Sequence, residues 1–141
     1  MAEVTILLVE DDAVDVMAIR RALRELKIAN RLVHAADGIE GLEMLRGQNG
    51  REMLPCPYVI LLDLNMPRMG GLEFLAELRK DPDLQRSIVF VMTTSAAEED
   101  RFRAYNQNVA GYILKHNPAR SFLDAISMIE HYWRVIEFPE Q

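Results

Sequence analysis

The sequence predicts a single-domain α/β protein with a doubly wound parallel sheet. Two observations support this prediction. Short apolar runs of strand length alternate with stretches in which apolar residues recur every three or four positions. Turn-forming residues separate the two kinds of segment, and the sequence contains no internal repeat. Strands that alternate with helices pair in parallel and are covered by helices on both faces of the sheet.

The first half of the chain carries three strand signals and two helix signals. Val4–Val9 is an almost continuous apolar run, as expected for a strand that is buried on both faces. Asp12 is suited to cap the helix that follows this run. The segments are, in order, a strand at Val4–Val9, a helix after Asp12, a strand at Arg31–Ala36, a helix at Ile39–Leu45 and a strand at Tyr58–Leu62.

The second half repeats the alternation of helix and strand. In the last helix, apolar residues recur at spacings of four, three and four, which places them on one face. The segments are a helix from Leu72 to about Asp81, a strand at Ile88–Met92, a helix at Ala97–Asn106, a strand at Gly111–Leu114 and a helix that begins near Ala119.

Composition excludes several classes of function. The chain has 141 residues, of which 50% are hydrophobic, enough for one ordinary core. Sixteen basic and twenty-two acidic residues give a net charge of −6 with no concentrated basic face, so no nucleic-acid partner is predicted. No apolar run approaches the roughly 18 residues of a membrane span, and we expect a cytoplasmic protein. Cys56 cannot form an internal disulfide.

Polar residues directly follow four of the predicted strands. In doubly wound sheets, the functional crevice lies outside the carboxyl ends of the strands. These ends therefore place carboxylates, hydroxyls and one lysine in a single crevice. The residues are Glu10, Asp11 and Asp12 after the first strand, Asp63 and Asn65 after the third, Thr93, Thr94 and Ser95 after the fourth, and Lys115 after the fifth.

This set of side chains indicates phosphate chemistry at a metal site. Converging carboxylates repel one another, and a divalent cation removes that conflict. Oxygen ligands favour a hard ion, so we expect Mg²⁺, with Mn²⁺ as an alternative. Lys115 offers a compact positive charge to a phosphate oxygen. A carboxylate such as Asp63 is able to act as the nucleophile and form an acyl phosphate.

Simpler explanations stay open for some of these residues. Asp12 can serve as a helix cap alone, and Glu10 and Asp11 can form a solvated turn. Only one of Thr93 and Thr94 is needed in the site. Their joint placement at successive strand ends nevertheless favours a common site.

Four motifs carry a resemblance to a known family. They are ILLVEDD at Ile6–Asp12, LLDLNMPRMGG at Leu61–Gly71, VMTTS at Val91–Ser95 and GYILK at Gly111–Lys115. Together they resemble the receiver domains of two-component response regulators, over almost the whole chain. The resemblance implies a flavodoxin-like fold with the strand order 2-1-3-4-5.

The resemblance also implies roles for the acidic residues. Asp63 matches the phosphoacceptor of the family. Glu10 and Asp11 match its acidic pair, with Asp11 as the direct ligand of the metal. Asn65 would supply a backbone carbonyl to the same ion.

Further roles follow for residues nearer the C-terminus. Thr93 matches the switch hydroxyl, Lys115 the phosphate-binding lysine, and Tyr112 the aromatic residue whose rotamer reports phosphorylation. Asn65 and Ser95 occupy positions at which receivers tune the lifetime of the acyl phosphate.

One position departs from the family pattern. A proline with a cis peptide bond usually follows the lysine, whereas His116 follows Lys115 here and Pro118 comes later. A cis bond before another residue type is costly. The sequence therefore predicts either a cis Lys115–His116 bond or a trans loop, and this leaves the reach of the lysine open.

The expected partner is a sensor histidine kinase. The loop at Gly47–Pro57, the Thr-Thr-Ser triplet and the aromatic pair Tyr132-Trp133 resemble the single-domain regulators of bacterial phytochrome kinases. A bacteriophytochrome is therefore the specific kinase that we expect, while similar regulators also serve other sensors.

The C-terminal part of the chain indicates how the protein passes on its signal. We expect a receiver domain over residues 1–134 and a short tail over 135–141 with no output domain. Output then depends on protein contacts, and we expect a homodimer through the fourth helix, fifth strand and fifth helix. Tyr132, Trp133 and Phe138 are the candidate interface residues of this region. The alternative is that Trp133 and Phe138 fold back onto their own domain.

The favoured function is a phosphorylated signalling switch and not an enzyme that turns over external substrates. A phosphorelay intermediate and a pseudo-receiver that serves as a structural dimer module remain alternatives. An aspartyl-phosphate phosphatase would need a second aspartate where Asn65 stands. A flavodoxin would need a phosphate-binding loop rich in serine and threonine after the first strand, which this sequence lacks.

Overall fold

The computed structural model describes residues 3–115 and 122–139. Within these ranges, five strands alternate with five helices. The strands are β1 at Thr5–Val9, β2 at Leu32–Ala35, β3 at Tyr58–Leu62, β4 at Ile88–Thr93 and β5 at Gly111–Leu114. The helices are α1 at Ala13–Glu25, α2 at Gly38–Arg46, α3 at Gly71–Lys80, α4 at Glu98–Asn106 and α5 at Phe122–Val135.

The five strands form one parallel sheet in the order β2-β1-β3-β4-β5. This order confirms the predicted fold, and each predicted strand lies within one or two residues of its observed position. The register aligns the last residues of neighbouring strands, so that Val9 pairs with Leu62 and Thr93 with Leu114. The residues that follow these strands therefore emerge at one edge of the sheet.

Two apolar cores cover the two faces of the sheet. Along β1, Leu7 and Val9 point to one face and Ile6 and Leu8 to the other, and all four are buried. The first core packs against α2 and α3, and the second packs against α1 and α5. Burial on both faces explains why the strands read as continuous apolar runs.

Local sequence signals set the helix ends nearest the crevice. Asp12 is the N-cap of α1 and accepts hydrogen bonds from the backbone N–H groups of Val14 and Asp15, which confirms its predicted capping role. Gly71 opens α3 against the loop after β3. A Cβ at this position would lie 2.4 Å from the carbonyl oxygen of Asp63, so only glycine permits the approach.

The aromatic residues of α5 and the tail require a correction. Trp133 is buried in the second core, and Tyr132 and Phe138 are partly buried against the same core. The Tyr132 ring meets Phe90 edge-on, with 5.0 Å between the ring centroids. These side chains cover the apolar surface of their own domain, so Trp133 is not exposed to a partner. The interface role predicted for Trp133 is therefore wrong, and its intramolecular alternative is observed, whereas the interface role of the partly exposed Tyr132 and Phe138 stays a prediction.

Some predictions concern residues 116–121, which lie outside the described residues. They are the geometry of the Lys115–His116 peptide, the loop at Pro118 and the helix start near Ala119. In the described ranges, no helix combines the length and apolar character that crossing a bilayer requires.

Candidate functional site

The register of the sheet fixes the backbone of the crevice. The N–H of Asp63 donates to the carbonyl of Val9 at 3.0 Å, so β3 ends beside β1. The N–H of Lys115 donates to the carbonyl of Thr93 at 2.9 Å, so β5 ends beside β4. The backbone positions of the predicted site residues are thus fixed beside one another at the carboxyl ends of the strands, although these residues are far apart in sequence.

Three carboxylates converge at this edge of the sheet. One oxygen from each of Glu10, Asp11 and Asp63 lies within 4.8 Å of the others. Glu10 is 1% exposed and Asp63 is 6% exposed, whereas Asp11 is exposed to solvent. The group therefore has a buried floor and an open side, through which a ligand is able to enter.

Lys115 reaches into the same crevice. Its side chain is 3% exposed, and its Nζ donates to Oε1 of Glu10 and, at 2.8 Å, to Oδ2 of Asp15. Oδ1 of Asp63 lies 3.6 Å from the same Nζ. The lysine thus stands within one small shift of a direct hydrogen bond to Asp63.

The environment shifts the pKa values of this cluster. Burial raises the pKa of Glu10 to about 8, since the hydrogen bond from Lys115 only partly offsets burial and the neighbouring Asp63 raises the pKa further. Burial by itself would lower the pKa of Lys115. Hydrogen bonds to Asp15 and Glu10, with the charge of Asp63, outweigh burial and raise the pKa of the lysine above its usual value.

The acidic group fits a divalent cation. Oε2 of Glu10 is buried, and no hydrogen-bond donor among the residues that the structure describes reaches it. A buried carboxylate oxygen without a donor is costly, and a cation would satisfy it. The donor set consists of oxygen atoms, which suits hard ions such as Mg²⁺ and Mn²⁺.

A second group of contacts links the crevice to β5. Thr93 is fully buried, and its Oγ1 accepts a hydrogen bond from the N–H of Ser95 at 3.3 Å. The Tyr112 hydroxyl donates to the carbonyl of Ser95 at 2.9 Å, and the Oγ of Ser95 donates to Asp100 at 2.6 Å. Ser95 in the loop after β4 therefore forms hydrogen bonds with both predicted switch residues, Thr93 and Tyr112.

The loop after Asp63 is held from the other side of the crevice. Asn65 is exposed in this loop. Arg68 has a φ of 61° and donates to both carboxylate oxygens of Asp37, at 2.6 and 3.1 Å. Asp37 also caps α2, so the same carboxylate fixes both the helix and the loop.

The fold brings most of the predicted site residues together in one crevice. The sequence analysis did not identify Asp15, which also contacts this group. Asp15 contacts Lys115 although the two lie 100 residues apart in sequence. The sequence did contain one indication that Asp15 is buried, because Asp15 lies one helical turn before Ile19 and thus on the apolar face of α1. A charged residue on a buried helix face needs a partner, but the sequence does not say which one.

The fold and the site together define the receiver class of α/β proteins. A family model described as the response regulator receiver domain matches residues 6–127. The chain therefore belongs to the response regulator receiver family. A receiver domain takes a sensor histidine kinase as its partner, and phosphoryl acceptance is its general role.

Within this family, the chain is similar to response regulators of phytochromes. Response regulator Rcp1 of Synechocystis sp. is 37% identical over 128 residues, which cover 91% of this chain and 87% of that protein. The structure of the phosphorylated cyanobacterial phytochrome response regulator RcpA has 36% identity and a TM-score of 0.87, and the match covers 99% of this chain and 100% of that one. The Mn²⁺-bound form of Rcp1 has 36% identity and a TM-score of 0.85, with coverage of 98% and 100%. The resemblance to phytochrome regulators is thereby confirmed.

Proposed function

We propose that this protein is a single-domain response regulator that accepts a phosphoryl group on Asp63 from a sensor histidine kinase. The observation that carries the proposal is the position of Lys115. Its buried ammonium lies 3.6 Å from Asp63 Oδ1, in a crevice that also contains Glu10 and Asp11. This arrangement supplies a nucleophile and a positive charge for the phosphoryl oxygens at the same point.

The chain's own residues account for the transfer step. A carboxylate oxygen of Asp63 attacks the phosphorus of a phosphohistidine, and a new P–O bond forms as the P–N bond breaks. The electron pair of the broken bond leaves with the imidazole, which is then protonated. Lys115 and the Thr93 hydroxyl stabilise the oxygens of the transferred group. The negative charge that Asp63 gains in this step is the signal.

The proposed cofactor is Mg²⁺, with Mn²⁺ as the alternative. Glu10, Asp11 and Asp63 would hold the ion through carboxylate oxygens, with the backbone carbonyl of Asn65 as a further donor. When bound, the ion supplies positive charge that offsets repulsion between these carboxylates and the incoming phosphoryl group.

Thr93 and Tyr112 are the proposed switch residues. Both residues form hydrogen bonds with the backbone of Ser95 in the loop after β4. A shift of the Thr93 hydroxyl toward a phosphoryl oxygen would therefore move Ser95 and alter the hydrogen bond that the Tyr112 hydroxyl donates to it. We assign Asn65 and Ser95 to the control of acyl-phosphate lifetime, because both lie beside the residues that would contact the phosphoryl group. The protein acts as a switch in this proposal, without turnover of an external substrate.

The proposed pathway is a light response. RcpA, a phytochrome response regulator, shares 36% sequence identity with this chain, and this similarity favours a bacteriophytochrome as the cognate kinase. The proposal places the protein in the cytoplasm, with signalling through contacts of α4, β5 and α5, including a homodimer. The exposed apolar side chains that support such contacts are Phe102, Tyr105, Leu123 and Met128.

The decisive experiment is labelling of Asp63. The protein is incubated with Mg²⁺ and acetyl phosphate, and phosphorylation is measured by intact mass and by lability to base. We expect one phosphoryl group on the parent protein and none on Asp63→Asn. The control Asp83→Asn removes an exposed carboxylate elsewhere and should label like the parent.

Other results would point to other functions. Equal labelling of Asp63→Asn and the parent would exclude Asp63 as the acceptor. No labelling of the parent, by acetyl phosphate or by a phosphorylated kinase, would favour a structural module. Rapid hydrolysis of many unrelated phosphoesters would favour a phosphatase.

A further inference from the structure

Asp15 holds an unusual position for a residue in the first turn of a helix. Acidic residues in this turn interact favourably with the helix dipole, but they usually do so from the surface. The Asp15 side chain is only 12% exposed, and its Oδ2 accepts a hydrogen bond from Lys115 Nζ at 2.8 Å. The dipole alone does not require this burial, so the contact with the lysine is the feature that needs an explanation.

The carboxylates around Lys115 differ in whether they belong to the group that could hold a cation. Glu10 and Asp63 belong to the group whose oxygens converge for a cation, whereas Asp15 stands outside that group. A cation bound to Glu10 and Asp63 would take up negative charge that otherwise attracts the lysine. Among the described contacts of the ammonium, the one with Asp15 would then be the contact that the cation leaves intact.

We propose that Asp15 is a positioning residue that anchors the Lys115 ammonium beside Asp63 when the acidic group holds its cation. This inference rests on the proposed phosphorylation of Asp63 and adds a residue to it. The lysine side chain is a flexible four-carbon stem with many rotamers. An anchor on α1 restricts those rotamers and keeps the charge where the phosphoryl oxygens arrive.

The geometry also explains how the anchor permits the reaction. Lys115 Nζ has three hydrogens, so it is able to keep its hydrogen bond to Asp15 while another hydrogen turns toward a phosphoryl oxygen. Asp15 lies on α1 and Asp63 follows β3, and the lysine comes between them from β5. The anchor therefore acts through the lysine, whose Nζ lies 3.6 Å from Oδ1 of Asp63.

The test compares Asp15→Asn with Asp12→Asn. Both variants remove one carboxylate from the same helical turn, but Asp12 is exposed and its carboxylate accepts from backbone N–H groups. Asparagine also caps helices well, so the control retains its structural role. We expect Asp15→Asn to lower the initial rate of Asp63 labelling by acetyl phosphate about tenfold. The Mg²⁺ affinity, measured by titration calorimetry, should change less than about twofold in both variants.

A double-mutant cycle separates positioning from a general structural effect. In a Lys115→Ala background, Asp15→Asn should have no further effect on the labelling rate, because the residue it positions is gone. A second measurement needs no phosphorylation. In metal-loaded, ¹⁵N-labelled protein, the ammonium signal of Lys115 should exchange with water faster in Asp15→Asn than in Asp12→Asn.

The outcomes distinguish this inference from the proposed function. An unchanged labelling rate in Asp15→Asn, or an equal loss in both backgrounds, would overturn the positioning role while Asp63 phosphorylation stands. Failure of the parent protein to label would overturn the proposed function, and the ammonium exchange would then still decide whether Asp15 anchors Lys115. Denaturation curves of each variant show whether it is folded.

Discussion

At the scale of single residues, the site depends on charges that are placed before any ligand arrives. Lys115 is buried among carboxylates, and its contacts with Glu10 and Asp15 keep it from solvent. A similar ion pair stands at the other side of the crevice, between Arg68 and Asp37. Asp37 does not belong to the group of Glu10, Asp11 and Asp63, and the causes that shift its pKa are Arg68, burial and backbone N–H groups of α2.

Asp37 should make stability depend on pH at the acidic end. The hydrogen bond from Arg68 holds the pKa of Asp37 below 3.8, with the backbone N–H of Glu40 contributing and burial opposing. Because the folded pKa lies below the unfolded one, the folded state binds fewer protons between the two values. The contribution of Asp37 to stability is therefore complete above pH 3.8 and is lost as the pH falls through its lowered pKa.

We expect Arg68→Gln to raise the pKa of Asp37 toward its ordinary value and to weaken the acidic part of this pH dependence. The measurement is a carboxyl ¹³C NMR titration together with denaturation at several pH values. Arg51→Gln is the matched control, since Arg51 pairs with Glu40 and Glu43 instead. An unchanged pKa of Asp37 in Arg68→Gln would contradict this account.

At the scale of elements, Arg79 joins α3 to the end of the sheet opposite the crevice. Its Nε donates to the carbonyl of Gln107 at 2.7 Å, and its Nη1 donates to Gln85 and Ser87 at 2.8 and 2.7 Å. Its Nη2 donates to Asn108 at 3.1 Å. One planar guanidinium thus satisfies backbone carbonyls before β4 and after α4, which a lysine could not do.

Substitution of Arg79 by lysine should destabilise the fold. The flexible ammonium would leave part of these carbonyls without donors, and we expect the free energy of unfolding to fall by about 1–3 kcal/mol. Urea denaturation at neutral pH measures the difference. Lys80→Ala is the control on the same helix, because Lys80 is 75% exposed and pairs only at 3.8 Å with Glu77 among the described contacts. Its effect should stay within about 0.5 kcal/mol, and a larger loss than in Arg79→Lys would contradict the role of the guanidinium.

At the scale of the whole molecule, the proposed homodimer depends on the surface of α4, β5 and α5. Phe102 and Tyr105 are 68% and 48% exposed on α4, and Met128 is 46% exposed on α5. A groove of about 310 Å³ lies between β5 and α5, and the described residues that line it are Ile113, Asp124, Ala125 and Met128. These exposed apolar side chains are the features of α4 and α5 that support the proposed interface.

We expect Phe102→Glu to weaken self-association, because it replaces the most exposed apolar side chain of α4 among the described residues with a charge. Light scattering at high micromolar concentration, with and without acetyl phosphate, gives the mass of the particle. Met53→Glu is the control, since Met53 is 67% exposed but lies in the loop before β3. A parent protein that stays monomeric in both states would exclude the homodimer, and equal effects of the two substitutions would exclude this surface.

The sequence alone determined the layout of the molecule. Apolar runs such as Tyr58–Leu62 identify strands because a strand covered on both faces must be apolar throughout. Once the strands are assigned, Glu10, Asp63 and Lys115 are expected at one edge of the sheet, since the carboxyl ends of parallel strands share that edge. The motifs around these residues were sufficient to indicate the family.

The tertiary structure decided which partner each side chain takes. Trp133 belongs to an amphipathic helix in the sequence, but only the packed fold shows that it covers the second core and not a dimer interface. The position of Asp15 on the apolar face of α1 indicated a buried carboxylate but not the residue that it contacts. Its contact with Lys115 joins two elements that are distant in sequence, and local propensities contain no information about such a pair. Long-range contacts of this kind depend on how helices rotate against the sheet, which packing alone sets.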